Sequence, residues 1–154
     1  MSIDVDIPGR EPLRLEHLVL DLNGTLTNRG VLIEGVAERL ARLGARLEVH
    51  VLSADTFGTL AAVTADLGAR VHPVDTGEEK VRHVAALEAD RCAAIGNGAN
   101  DAAMLEAAAL GIAVVGPEGA AASAVRSADV VCASILDALD LLLDERALVA
   151  TLRR

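Results

Sequence analysis

Two hydrophobic rhythms alternate along this chain. Short apolar runs, each stopped by polar or glycine-rich residues, occur at 17–21, 47–52, 70–74, 92–95, 112–115 and 130–132, and they read as buried strands. Between them apolar residues recur at helical spacing. Val36, Leu40 and Leu43 before Gly44 predict an amphipathic helix with a C-terminal stop, and Leu60, Val63 and Leu67 before Gly68 predict a second. Thr76, with Glu79 three residues on, reads as a capping box that opens a helix running to Leu87. Further helices are expected after Asp101 to about Leu110, over 118–126 and in the Leu-rich stretch 135–152. Residues 3–7 alternate strictly and end at Pro8-Gly9, the pattern of a half-exposed edge strand. Asn28-Arg29-Gly30 places a turn inside 25–33 and predicts a small flap hairpin. Strands alternating with helices at this spacing make βαβ units, so the expected fold class is α/β, a doubly wound, Rossmann-like, mainly parallel sheet. No linker or repeat interrupts the pattern, and residues 1–154 are expected to form one domain.

Composition removes several function classes. Phe57 is the only aromatic residue, so the core is aliphatic and the side chains that usually stack on nucleobases are missing. A net charge of −9 repels a phosphate backbone, which argues against a nucleic-acid partner. No apolar run approaches the ~18–20 residues of a membrane span, and the acidic N-terminal stretch lacks the apolar region of a signal peptide. Cys92 and Cys132 lie in strand-like runs without metal-ligand spacing and read as core thiols, so a reducing, cytoplasmic setting is expected. His17, His50, His72 and His83 show no ligand spacing either and read as partly exposed or hydrogen-bonded residues. One detail points the other way. Of 14 basic residues, Lys80 is the single lysine, in a chain that otherwise uses Arg. A compact ammonium and a guanidinium are not interchangeable, so Lys80 marks a place where the former is wanted.

The polar residues that end the predicted strands form an ordered set. The strand at 17–21 delivers Asp21 and Asn23, and the next delivers Ser53. The helix after the third strand carries Lys80, and the fourth strand leads into Asn97, Asn100 and Asp101. In a parallel sheet these ends share one edge, the edge where ligands bind. A carboxylate, a hydroxyl, an ammonium and a carboxylate–amide cluster are what phosphoryl transfer through an aspartyl intermediate requires. Asp21 would attack phosphorus, a hard cation such as Mg²⁺ would be held by few carboxylates, and Ser53 and Lys80 would hold the phosphoryl oxygens.

The stretches DLNGTLT, SAD, EEK and GNGAND resemble, in order, the motifs D-x-T-G-T, T-G-D, a lysine and G-D-G-x-N-D. Those motifs belong to the haloacid dehalogenase superfamily, and most closely to the soluble, capless relatives of P-type ATPases. The resemblance implies that Asp21 is both nucleophile and metal ligand, and that the main-chain carbonyl of Asn23 binds the metal. It makes Gly24 and Thr25 the phosphate-facing turn, Ser53 the phosphate hydroxyl and Lys80 the phosphate lysine. Asn97 and Asp101 fall on metal-binding positions, and Asn100 supports phosphate or nucleophile. The implied protein is a Mg²⁺-dependent phosphatase of small phosphate compounds, with ATP as a weak substrate. Its open site has no cap domain, and a neighbouring subunit of a homo-oligomer would cover it.

Two departures from the family pattern matter. Position 23 is usually a second Asp that acts as general acid and base; Asn transfers no proton at neutral pH, so a factor of ~10²–10⁴ is at stake. Asn97 replaces a metal-ligating Asp. A slow phosphatase is therefore expected, and the alternative is a nearly inactive module that binds phosphate and metal for regulation. Several residues also carry blander readings. Ser53 and Asp55 suit a helix cap, Thr76-Gly77-Glu78 suits the start of the next helix, and Asp137, Asp140, Asp144 and Glu145 suit a solvated helix face.

Overall fold

Alternating burial identifies the centre of the fold. In the strand His17–Asp21 (β3), Leu18 and Leu20 enter one core, and Val19 enters another on the opposite face of the sheet. The computed structural model describes residues 1–54, 67–74 and 76–154. The helix expected around Leu60 and Val63, together with Asp55 and Phe57, lies outside them.

Among the described residues the main sheet has six strands, all parallel. β3 is flanked on one side by Glu48–Ser53 (β6) and Arg70–Pro73 (β7). On the other side lie Cys92–Gly96 (β8), Leu110–Val114 (β9) and Val130–Cys132 (β10). The chain winds outward from β3 to β7 and then returns to β8 on the opposite side. The carboxyl ends of β3 and β8 therefore border the topological switch point, where open α/β sheets bind ligands.

Helices cover both faces. Val36–Gly44 (α1), Ile135–Leu143 (α5) and Glu145–Leu152 (α6) bury their apolar residues in the larger core. Gly77–Ala86 (α2), Ala102–Ala107 (α3) and Ala122–Ser127 (α4) close the other core with Val84, Met104, Leu105 and Ala124. The flap is a hairpin of Thr27–Asn28 (β4) and Val31–Leu32 (β5), with Arg29 and Gly30 both at positive φ as a tight turn requires. No larger insertion appears among the described residues, in keeping with a capless fold.

Three expectations are corrected, and one gains its partner. The alternating stretch at the N-terminus forms a half-exposed strand outside the main sheet. Ile3–Val5 (β1) pairs antiparallel with Leu13–Leu15 (β2), because both segments bury alternate residues against the larger core. Leu110 does not end a helix; it opens β9, paired with Ala93. The helix expected at 118–126 begins only at Ala122, and the residues before it form a turn closed between Gly116 and Gly119. The C-terminal segment is two helices, because the Asp144 carboxylate accepts hydrogen bonds from the N–H groups of Arg146 and Ala147 and starts a new one.

Candidate active site

Asp21 is the last residue of β3, on the same face as Val19 and beside the carboxyl end of β8. The chain must then turn at once. Gly24 adopts φ +76°, a conformation that favours glycine, and this turn folds Thr25 back beneath the carboxylate. The Thr25 hydroxyl lies 3.2 Å from Asp21 Oδ2 and 3.2 Å from Asn97 Oδ1, so it bridges the two strand ends.

Lys80 reaches this point from α2. The helix starts at Thr76, whose hydroxyl accepts the N–H of Glu79, so the Thr-Gly-Glu tripeptide is a helix start. Gly77 lets the first turn come close to the loop after β8, since a Cβ there would stand 2.8 Å from the Asn100 carbonyl oxygen. The Lys80 ammonium is then buried, 2.9 Å from Asp21 Oδ1 and 2.7 Å from Asp101 Oδ1. Burial alone would lower its pKa, but the two carboxylates outweigh that and raise it above its ordinary value. Asp21 moves upward as well, to about 6. Burial is the main cause and the charge of Asp101 adds to it, while Lys80 and the Thr25 hydrogen bond oppose them.

Asp101 is fully buried with both carboxylate oxygens engaged. Oδ1 accepts from Lys80, and Oδ2 accepts from the N–H groups of Asn97 at 3.1 Å and Gly98 at 2.9 Å. The expected metal ligand thus stands behind Lys80 and does not line the cleft. An open cleft of about 240 Å³ is lined by Asp21, Asn23, Ala54, Lys80, Asn97 and Asn100, among others. Ser53 ends β6 as a buried residue, and its neighbour Ala54 reaches the cleft. Asn23 is exposed at the mouth, and Asn97 anchors through Nδ2 to the Gly119 carbonyl, 3.2 Å away. All the expected site residues are therefore gathered at this carboxyl edge.

The sequence reading missed Glu118, which also lines the cleft. The sequence pattern places it in a helix, whereas it sits in the turn after β9. The available signal was position: Gly-Pro-Glu-Gly directly follows a parallel strand, where loops reach the ligand edge. The reading also missed the imidazoles. His17, His50, His72 and His83 come from three strands and a helix, and their rings meet on the sheet face that carries Asp21, toward β6 and β7. Linear spacing carries no trace of such a meeting.

Comparison with known proteins agrees with this geometry. Residues 76–137 match the family of haloacid dehalogenase-like hydrolases. An uncharacterized protein of Methanocaldococcus jannaschii is 45% identical over 84 residues, covering 50% of this chain and 90% of that protein. The chain belongs to the haloacid dehalogenase-like hydrolases. Among solved structures, the cobalt-bound deoxy-D-mannose-octulosonate 8-phosphate phosphatase of Haemophilus influenzae superposes with a TM-score of 0.72 at 17% identity, covering 88% of this chain and 91% of that one. A zinc-transporting PIB-type ATPase in its E2.Pi state matches with a TM-score of 0.62 at 29% identity, covering 79% of this chain but only 20% of the pump.

Proposed function

We propose that this chain is a Mg²⁺-dependent phosphohydrolase that attacks small phosphorylated compounds with Asp21 and passes through an aspartyl-phosphate. The observation that carries this reading is the position of Lys80. A single lysine is buried at the ligand edge of the sheet, hydrogen-bonded to Asp21 and facing the cleft, within reach of both the nucleophile and a phosphoryl oxygen that would bind there. The donors around it are hard oxygens, which suits Mg²⁺. The Asp21 carboxylate, the Asn97 side-chain carbonyl and the main-chain carbonyl of Asn23 would hold the ion. When bound, it would offset the charge of the phosphoryl group. The part of Asp101 is to hold Lys80 and the Asn97–Gly98 backbone in place.

Asp21, ionised at neutral pH, attacks phosphorus; the bond to the leaving oxygen breaks, and water later cleaves the acyl phosphate. Lys80, Ser53, Asn100 and the turn at Gly24 and Thr25 neutralise or orient the phosphoryl oxygens. A structure of the Moraxella catarrhalis 3-deoxy-D-manno-octulosonate 8-phosphate phosphatase, TM-score 0.70 and 18% identical, is described as a complex with magnesium, phosphate and KDO. The same fold thus holds that combination elsewhere. An open cleft without a cap suits small substrates, ATP among the weaker ones, and leaves room for a second subunit to cover it. The free thiols Cys92 and Cys132 suit a reducing compartment such as the cytoplasm.

The absence of a titratable proton at Asn23 favours one second reading, a phosphate- and metal-binding module with little turnover. Phosphate release from p-nitrophenyl phosphate, acetyl phosphate and ATP, with and without Mg²⁺, separates the two. Activity that needs Mg²⁺ and vanishes in Asp21→Asn is the expected result. Equal release from both proteins, or none from either, would sink the enzymatic reading and leave the binding module.

A further inference from the structure

The imidazole cluster under α2 has more order than a satisfied core needs. His50 lies on β6 and is buried, His72 lies on β7 and His83 on α2, the latter two half-buried and open to solvent on one side. One ligand atom from each of the three lies within 4.8 Å of the other two. Three atoms so placed share a centre within about 2.8 Å of each, against the ~2.0–2.1 Å of a Zn–N bond. His50 Nδ1 and His72 Nε2 are already 3.2 Å apart, close to the ~3.3 Å edge of a tetrahedron with such bonds. The His72 and His83 rings lie 4.2 Å apart, centre to centre.

A purely proton-sharing network leaves this arrangement unexplained. Among the described residues, His83 Nε2 is the one buried side-chain nitrogen or oxygen without a hydrogen-bond partner. Such orphans are rare and costly, and this one stands beside two other imidazoles.

We propose that His50, His72 and His83 form a second metal site, separate from the oxygen-lined cleft, that takes a borderline divalent ion of the Zn²⁺ class and clamps α2 to the β6–β7 edge of the sheet. Neutral imidazoles select this class of ion over Mg²⁺, which prefers hard oxygen. Burial holds all three rings below the ordinary histidine value, His50 at about 4, so protons do not compete for the lone pairs at neutral pH. Support behind the ligands is present too. His50 Nε2 is 3.3 Å from His17 Nδ1, which lies 3.5 Å from Glu48 Oε2, and Arg70 fixes that carboxylate at 2.7 Å. Such outer contacts orient ligating imidazoles. The fourth coordination position faces the open side and falls to water.

The site sits one helical turn from Lys80, on the same helix. An ion there fixes the register of α2 against the sheet without touching the cleft. The proposal does not depend on the phosphohydrolase reading, because its test reads metal and not turnover.

The test uses the untagged full chain, stripped with a chelator and held in millimolar Mg²⁺ to occupy oxygen sites. Zn²⁺ titration by calorimetry should find one ion per chain and raise the melting temperature. His83→Gln and His72→Asn should weaken that binding by about a hundredfold or more, while Asp21→Asn should leave it intact. Co²⁺ added to the wild-type protein should give the intense visible absorption of a four-coordinate nitrogen site, a readout independent of how any variant folds. Zn²⁺ binding that survives both histidine substitutions, or is lost in Asp21→Asn, or a weak six-coordinate Co²⁺ spectrum, would each overturn the proposal.

Discussion

At the carboxyl ends of β3 and β8 a buried ammonium is shared by two carboxylates, whereas nearer the amino ends of β3 and β6 four imidazoles meet. Both clusters lie beneath α2, which contributes Lys80 to one and His83 to the other. Val19 and Leu52, on the same sheet face, form the apolar layer of the smaller core between them. The carboxyl-edge cluster is made of fixed charges that satisfy one another, and its cost shows in the raised Asp21 value. In the histidine cluster burial disfavours charge on His50, His72 and His83, and the cost shows in their lowered pKa values and an orphaned nitrogen on His83. One scaffold thus offers a hard, charged site and a softer, neutral one. What differs is the surroundings of each polar group. Groups at the open carboxyl edge tolerate charge, while those covered by α2 and the neighbouring strands favour shedding it.

The contrast can be broken most severely at Lys80. Lys80→Met leaves Asp21 and Asp101 facing each other, so we expect a loss of about 3–5 kcal/mol in denaturant unfolding and a fall in kcat/KM of ~10³ or more. Lys80→Arg should restore neither, because the fork does not fit a site shaped for an ammonium. Stability unchanged in Lys80→Met would show that the triad is not a coupled unit.

A smaller effect, in the opposite direction, is expected at the mouth of the cleft. Asn23→Asp introduces the missing acid–base group and should raise steady-state turnover roughly ten- to a hundredfold. If Glu118 already moves the proton, the gain disappears and Glu118→Gln becomes the variant that loses rate.

The histidine end responds to pH, in metal-free protein held in chelator. His50 sits near pH 4 in the fold against an ordinary 6.5, mainly through burial, with His72 and His83 also lowered. Between these values the unfolded chain binds more protons at these rings than the native one, so they favour unfolding in acid, while Asp21, raised to about 6, works the opposite way. In the Asp21→Asn protein, which removes that opposition, stability should be constant above about pH 6.5 and fall on acidification toward pH 4, by on the order of 2 kcal/mol. Urea midpoints across that range check it, and adding His50→Phe should flatten the slope. A midpoint that does not move in Asp21→Asn would mean the rings are hydrated enough to protonate freely.

The amino-acid sequence by itself determined the α/β class, the strand at 17–21, the flap hairpin, the helix capped by Thr76 and the convergence of Asp21, Lys80, Asn97 and Asp101 on one edge. These follow from local periodicity, from turn chemistry, and from the rule that parallel strands end together. Only the tertiary structure decided which partners each of those groups meets there. Whether Asp101 faces the cleft or braces Lys80 depends on which hydrogen bonds its two oxygens accept, and these come from the ammonium of α2 and the backbone after β8. The pairing of β1 with β2, the turn that brings in Glu118 and the meeting of His50, His72 and His83 likewise rest on registers between segments distant in sequence. A strand's own residues say which face is apolar, but not which side chain of another element will lie beside it.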